Sequence, residues 1–170
     1  MPIRAGILTV SDKASRGERE DTSGPAMREL LAALDSVVEK YEIVPDEAEE
    51  ISDRLRRWCD EDGLDLILTT GGSGLGPRDV TPEATAAVVD RLAPGIPEAL
   101  RQDGLRHTPM AMLSRNLAGV RGKTLIINFP GSEPAVREGL SYLMPVLVHA
   151  IEIIRGVPSE HLPPAPPVLE

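Results

Sequence analysis

Four short aliphatic runs constrain the fold more than any other feature of this sequence. They are IRAGILTV at 3–10, VVEKYEIV at 37–44, DLILTT at 65–70 and TLIINF at 124–129. Each is too short for a buried helix, and polar, proline or glycine residues follow it, so each reads as a strand, those at 3–10 and 65–70 buried. The intervening segments carry helical spacing. Pro25 opens one with Met27, Leu30, Leu31 and Leu34. A second follows Pro45-Asp46, with Ile51, Leu55, Trp58 and Cys59 on one side and Gly63 at its end. In a third, Thr81 is the expected N-cap and Pro82 the first helical residue, and the apolar positions run through Ala84, Val88 and Leu92. A fourth is expected at 96–107. The last has Ser132 as its cap, a stripe from Val136 to Ile154, and Pro145, which is expected to kink or divide it. Strands alternating with helices give an α/β domain with a mostly parallel sheet.

The chain has 170 residues, the length of one domain, and no internal repeat. We place that domain at residues 1–155, followed by a proline-rich tail at 156–170 that holds five prolines. Lys and Arg total 18 against 27 Asp and Glu, a net charge of −9. That sign and an aromatic content of 2% oppose a nucleic-acid partner, which needs basic contacts and stacking faces. No apolar run approaches a membrane span, and the start lacks the pattern of a signal peptide. Cys59 is the lone cysteine, which excludes an internal disulfide. A cytoplasmic protein is expected, with Cys59 packing in a helix stripe rather than acting as a nucleophile.

Ligands of parallel sheets sit at the carboxyl ends of the strands. The loop with the strongest chemistry there is TTGGSGLGPRDVTPEAT at 69–85. Gly71, Gly72 and Gly74 allow tight turns and close approach. Their amides, Ser73 and the helix start form a candidate anion cradle, with Arg78 and Asp79 beside it. Asp46 follows the second strand and Asp79 the third, so a parallel sheet brings both to one edge. Two carboxylates together with substrate phosphates make a Mg²⁺ site. Taken alone, Asp46 also reads as a helix cap. In NFPGS at 128–132, Asn128, Pro130 and Gly131 suit a polar ligand edge or simply a turn, and Ser114-Arg115 precedes this last strand. Familiar motifs fail. Gly122-Lys123-Thr124 precedes a strand, and Leu117 stands where the Walker A pattern needs glycine. Pro77 breaks the dinucleotide fingerprint. His107, His149 and His161 lack metal-ligand spacing.

Taken in order, ILTVSD at 7–12, the Asp21-x-Ser23-Gly24 motif, PDE at 45–47, the glycine loop, LSR at 113–115 and GKTLIINFPGS at 122–132 resemble the MogA/MoaB family of molybdenum cofactor biosynthesis. The resemblance covers about residues 4–155. It implies a three-layer α/β/α sandwich, a homotrimer, and adenylylation of molybdopterin by Mg-ATP. It also implies Asp46 and Asp79 as the essential acidic pair, which would hold Mg²⁺. Ser73, Ser114 and Asn128 fall at positions lining the ligand cleft, and Ser73 stands where the family usually has Thr. Retention of Arg78, Asp79, Thr81 and Pro82 points to the MogA branch. The competing readings are a molybdopterin carrier without catalysis and a scaffold module.

Overall fold

The computed structural model describes residues 1–157, and the expected tail lies outside the described residues from 158 onward. Six strands form one sheet: β1 (Ile3–Val10), β2 (Ser36–Val44), β3 (Leu66–Thr70), β4 (Arg91–Leu92), β5 (Ala118–Arg121) and β6 (Thr124–Phe129). Their order is β2-β1-β3-β6-β5-β4. β2, β1, β3 and β6 run parallel, while β5 is antiparallel to both β6 and β4. The four parallel strands are the four aliphatic runs of the sequence, each within one residue of its expected bounds.

Six helices accompany the sheet: α1 (Asp12–Ser15), α2 (Ser23–Leu31), α3 (Ala48–Asp60), α4 (Thr81–Ala86), α5 (Gly95–Leu105) and α6 (Glu133–Arg155). A 3₁₀ turn spans Pro109–Leu113. Alternation along the strands builds two cores. Ile3, Ala5 and Ile7 of β1 face α2, α5 and α6, together with Leu66, Leu68, Leu125 and Ile127. Leu8, Val10, Ile67 and Ile126 face α3 and α4, where Ile51, Leu55, Trp58 and Ala84 pack against them. A parallel sheet buried on both sides needs strands that are apolar throughout, and all five positions of β3 are buried. The fold is the three-layer α/β/α sandwich.

Two expectations about the helices fail. Thr81 is not the cap of α4: Val80 holds the cap position, and Thr81 is the first helical residue. Its hydroxyl is engaged elsewhere, donating to the Gly71 carbonyl at 2.9 Å. The same helix does not reach Leu92. It ends at Ala86, and Arg91–Leu92 pair with β5 as an edge strand. The apolar spacing that suggested a longer helix belongs to two elements, since Val88 is buried but Leu92 is exposed. Of the two outcomes expected at Pro145, division does not occur, since α6 is continuous over 23 residues. The cap expected at Ser132 is present, its hydroxyl accepting from Ala135 N–H at 3.4 Å.

β5 and β6 form a hairpin, with Arg121 opposite Thr124 and Gly122-Lys123 as its two-residue turn. Gly122 has φ +56°, as such turns require. The GKT triplet is therefore a hairpin turn and not a phosphate loop.

Candidate active site

The carboxyl ends of β1, β2, β3 and β6 lie along one edge, and the loops that leave them meet there. In register, Thr70 of β3 lies beside Phe129 of β6. The glycine loop at 71–80 and the turn at 130–132 therefore start as neighbours. Gly71 N–H donates to the Phe129 carbonyl at 3.1 Å, and the Thr70 hydroxyl donates to the Pro130 carbonyl at 2.7 Å. From α2, the Ser23 hydroxyl donates to the Gly131 carbonyl at 2.7 Å.

Gly71 and Gly72 both have left-handed backbones, with φ +98° and +64°. A side chain at Gly71 would overlap the Val10 carbonyl, and one at Gly72 would overlap the Thr81 hydroxyl and come within 2.9 Å of Asp46 Oδ1. Glycine is required at both positions by conformation and by space. Thr81 then closes the loop, its hydroxyl on the Gly71 carbonyl and its N–H on the Gly72 carbonyl at 3.0 Å. Among the described residues, the N–H groups of Gly72, Ser73 and Gly74 donate to no protein acceptor. They remain available to a ligand.

Two cavities flank this loop. The larger has a volume of about 440 Å³ and is walled by Gly72, Ser73, Gly74 and Asp79, by α5, by the 3₁₀ turn, and by Ser114, Pro130 and Gly131. The smaller, about 390 Å³, is walled by Thr9, Ser11, Asp21, Ser23, Asp46 and the start of the glycine loop. Gly72, Asp79, Gly131 and Ser132 belong to both walls. The larger cavity carries apolar side chains such as Met110 and Leu113, and the smaller is lined mainly by polar groups.

Asp46 and Asp79 approach this shared wall from different strands. Asp46 Oδ2 accepts the Asp12 N–H at 2.8 Å, and Asp46 N–H donates back to Asp12 Oδ1 at 3.0 Å. Asp79 Oδ2 accepts the Gly76 N–H at 2.9 Å. No donor among the described residues reaches Oδ1 of either carboxylate. Burial pushes the Asp46 carboxyl above the usual carboxylate range, and the negative charges of Asp12 and Asp79 add to that against the stabilising Asp12 N–H. A half-buried carboxylate repelled by two others, with one oxygen free, fits a cation site. No group of three His, Cys, Asp or Glu with metal-binding spacing exists among the described residues. The protein offers Mg²⁺ two carboxylates rather than a full cage, which suits an ion that takes its other ligands from phosphates and water.

Arg78 is turned toward the rim. Its guanidinium donates to both oxygens of Asp12 at 3.0 Å and to Glu47 at 2.8 Å. The Arg78 hydrogen bond holds the Asp12 carboxyl below its ordinary value, with help from the Asp46 N–H. Arg78 therefore acts on the acidic pair through Asp12, and it lines neither cavity.

Asn128 is also not at the cavity surface. It is fully buried, with its amide donating to the Thr69 and Thr85 hydroxyls at 3.0 Å and its carbonyl accepting Leu117 N–H at 3.2 Å. It ties β3, α4 and the segment before β5 together behind the loop. Ser73 and Ser114 do line the larger cavity.

Sequence reasoning missed three participants. Asp12 partners Asp46 from a position 34 residues away. Asp21 accepts from Thr9, Tyr41, Ser23 N–H and Gly24 N–H and so fixes the start of α2. Burial, followed by the Asp21 hydrogen bond, pushes the Tyr41 phenol up to about 12. Arg115 is engaged within the chain. It donates to the Gly74 and Asp79 carbonyls at 2.7 Å each and pairs with Glu83, bracing the glycine loop against α4. The arginine of LSR and the glycines were both visible in the sequence, but nothing in the spacing linked them. Cys59 lies far from this edge, in the α3–α4 core, where burial pushes its thiol up to about 11.

The model of the probable molybdopterin-binding domain matches residues 6–149. The molybdopterin adenylyltransferase of Helicobacter pylori (strain J99) is 44% identical over 156 residues, covering 91% of this chain and 89% of that protein. That of Escherichia coli is 41% identical over 155 residues, covering 88% and 80%. The crystal structure of the molybdopterin biosynthesis enzyme MoaB from Thermus thermophilus superimposes with a TM-score of 0.87 at 57% identity, covering 92% of this chain and 98% of that one. A loop geometry built around two carboxylates thus occurs within a chain that matches these proteins along nearly its whole length, and the chain belongs to the MogA/MoaB family of molybdenum cofactor biosynthesis.

Proposed function

We propose that this protein is a molybdopterin adenylyltransferase that joins molybdopterin to the adenylyl group of Mg-ATP and releases pyrophosphate. The observation that carries this reading is the pair Asp46 and Asp79, each with one free oxygen, beside the unbonded amides of Gly72, Ser73 and Gly74 at the wall between two cavities. Two adjoining cavities suit two substrates whose reacting phosphates must meet.

The nucleophile in this reaction is the terminal phosphate of molybdopterin, already anionic at neutral pH. No general base is needed, and the site has no histidine in either wall. One bond forms between a molybdopterin phosphate oxygen and the α-phosphorus of ATP, and the bond to pyrophosphate breaks. What the protein must supply is in-line placement and neutralisation of charge. The glycine-loop amides donate to phosphate oxygens. Thr81, Arg115 and Ser23 hold the two loops so that these donors need no reorganisation. Asp46 and Asp79 would hold Mg²⁺, which when bound offsets the negative charge gathered on the phosphates. Asn128 and Arg78 act as positioning residues, one behind the loop and one through Asp12.

The cavity with apolar side chains suits a flat heterocycle, and the polar one suits phosphate and metal. A homotrimer located in the cytoplasm belongs to the same reading, supported by the family resemblance. Among the described residues no helix is long and apolar enough to cross a membrane. Pyrophosphate release from molybdopterin and Mg-ATP tests the assignment. Release that vanishes in Asp46→Ala and Asp79→Ala establishes it. Absence of release with molybdopterin binding intact would instead favour a carrier or scaffold.

A further inference from the structure

The larger cavity contains a carboxylate that the reaction above leaves unused. Asp103, on α5, is 8% exposed and lines that cavity. Its charged neighbours are Arg106 Nη1 and His107 Nε2, each 3.7 Å away and so beyond hydrogen-bond reach. Both are largely in solvent, with side chains 61% and 43% exposed. No N–H or O–H among the described residues donates to the Asp103 carboxylate. Arg101, two residues earlier, spends its guanidinium on the Ser114 and Asn116 carbonyls at 3.4 and 3.1 Å.

The Asp103 carboxylate accepts no hydrogen bond within the described residues and its oxygens are not sealed from solvent, so they are open to a ligand that enters the cavity. Its two acceptor oxygens call for two parallel donors. Apolar groups lining the same cavity, Leu100, Met110 and Leu113, offer a surface for a flat ring. A cavity of about 440 Å³ with few polar groups in an apolar wall is the usual form of a small-molecule site.

We propose that Asp103 is the specificity-determining residue for the pterin, its two oxygens accepting the N3–H and the 2-amino N–H of the 2-amino-4-oxo edge. This rests on the adenylyltransferase reading and goes further by naming how one substrate is told from others. The ring lies in the larger cavity with its amino edge at α5, and the side chain that bears the phosphate extends to the glycine loop, which lines the same cavity. A ring with an oxygen in place of the 2-amino group presents an acceptor to Asp103 and is rejected, because two acceptors then face each other.

The experiment is a titration of the full chain with molybdopterin, followed by pterin fluorescence, with pterin and lumazine (the 2,4-dioxo ring) as competitors. Asp103→Asn is near in size and forfeits no hydrogen bond within the protein, so it tests recognition without a packing defect. Asp103→Ala is the second variant, and unfolding midpoints of both confirm the fold. The native chain is expected to prefer pterin to lumazine by about tenfold or more. Asp103→Asn is expected to lose that preference, because an amide presents one donor and one acceptor. Asp103→Ala is expected to weaken molybdopterin binding about ten- to a hundredfold. Unchanged discrimination in Asp103→Asn overturns the proposal while leaving the adenylyltransferase reading intact. No molybdopterin binding by the native chain overturns both.

Discussion

The two ends of the sheet contain the same kinds of charged residue and treat them in opposite ways. At the amino end, Asp65 is buried, which raises its carboxyl. Hydrogen bonds from Arg155 and from Arg4 N–H outweigh burial and hold it below the ordinary value. Arg155 grips it at 2.6 Å, and Arg4 in turn pairs with Glu39 at 2.8 Å. At the carboxyl end, Asp46 is half-buried, yet its charged neighbours are mainly other carboxylates, and it stays raised. Arg78 is nearby but is committed to Asp12 and Glu47. One end is neutralised within the chain. The other leaves negative charge and undonated amides side by side along the cavity walls.

That contrast predicts where a substitution will show its effect. The largest is expected for Asp79→Ala, with turnover down about a hundredfold or more and the unfolding midpoint nearly unchanged. A parallel fall in midpoint and turnover would place Asp79 in the scaffold instead. Gly72→Ala comes next. The added methyl meets Thr81 and Asp46 in a left-handed backbone, so the loop must shift. Displacing reacting groups by about an ångström costs up to a hundredfold. Steady-state kinetics should show kcat falling more than binding weakens.

At the other end, Arg155→Ala strands Asp65 in a largely buried position. A loss of about 2 kcal/mol in denaturant titration is expected, with turnover per folded molecule unchanged. Asp46→Asn gives a smaller change of opposite sign. A carboxyl raised in the folded state contributes stability at low pH that is lost as pH rises from its ordinary value of 3.8 through its folded value. The amide removes that loss and keeps an acceptor for Asp12 N–H. The variant should therefore be slightly more stable than the native chain at pH 7 while failing to turn over. Melting curves at pH 4 and pH 7 measure this, and a gap that does not widen with pH would contradict it. Smallest of all is Cys59→Ser, in the α3–α4 core. Turnover should not change, which thiol-specific labelling followed by assay would check.

Legibility followed the range of the interactions. The central parallel strands were readable because burial on both faces demands aliphatic runs, as in Leu66–Leu68, whereas the edge strand β2, with Glu39, Lys40 and Glu42, is only partly buried. β5 escaped notice, since AGVR is short and offers no distinctive period. The α4 segment misled because Ala84, Val88 and Leu92 keep helical spacing although only Ala84 is in the helix, Val88 lies in the turn after it and Leu92 is in β4. Within the site, Asp46, Asp79 and the glycines stood out because they follow strands directly, and strand ends are where ligands gather. Asp12 and Arg115 did not, because their roles depend on partners 34 and 41 residues away. Asn128 was singled out by its position at the end of a strand, and the side-chain alternation of β6 turns it inward.

α6 begins at Ser132, in the wall of both cavities, and ends at Arg155, fastened to Asp65. At 1.5 Å per residue its 23 residues reach about 34 Å, from one side of the molecule to the other. Ser132 and the turn before it thus hang on the same rigid rod as the far-side clamp. Loosening them should require lifting that rod from the sheet. Amide protons at the buried positions Leu140, Leu143 and Leu147 of α6 should therefore exchange with deuterium on the schedule of whole-molecule opening, not of a surface loop.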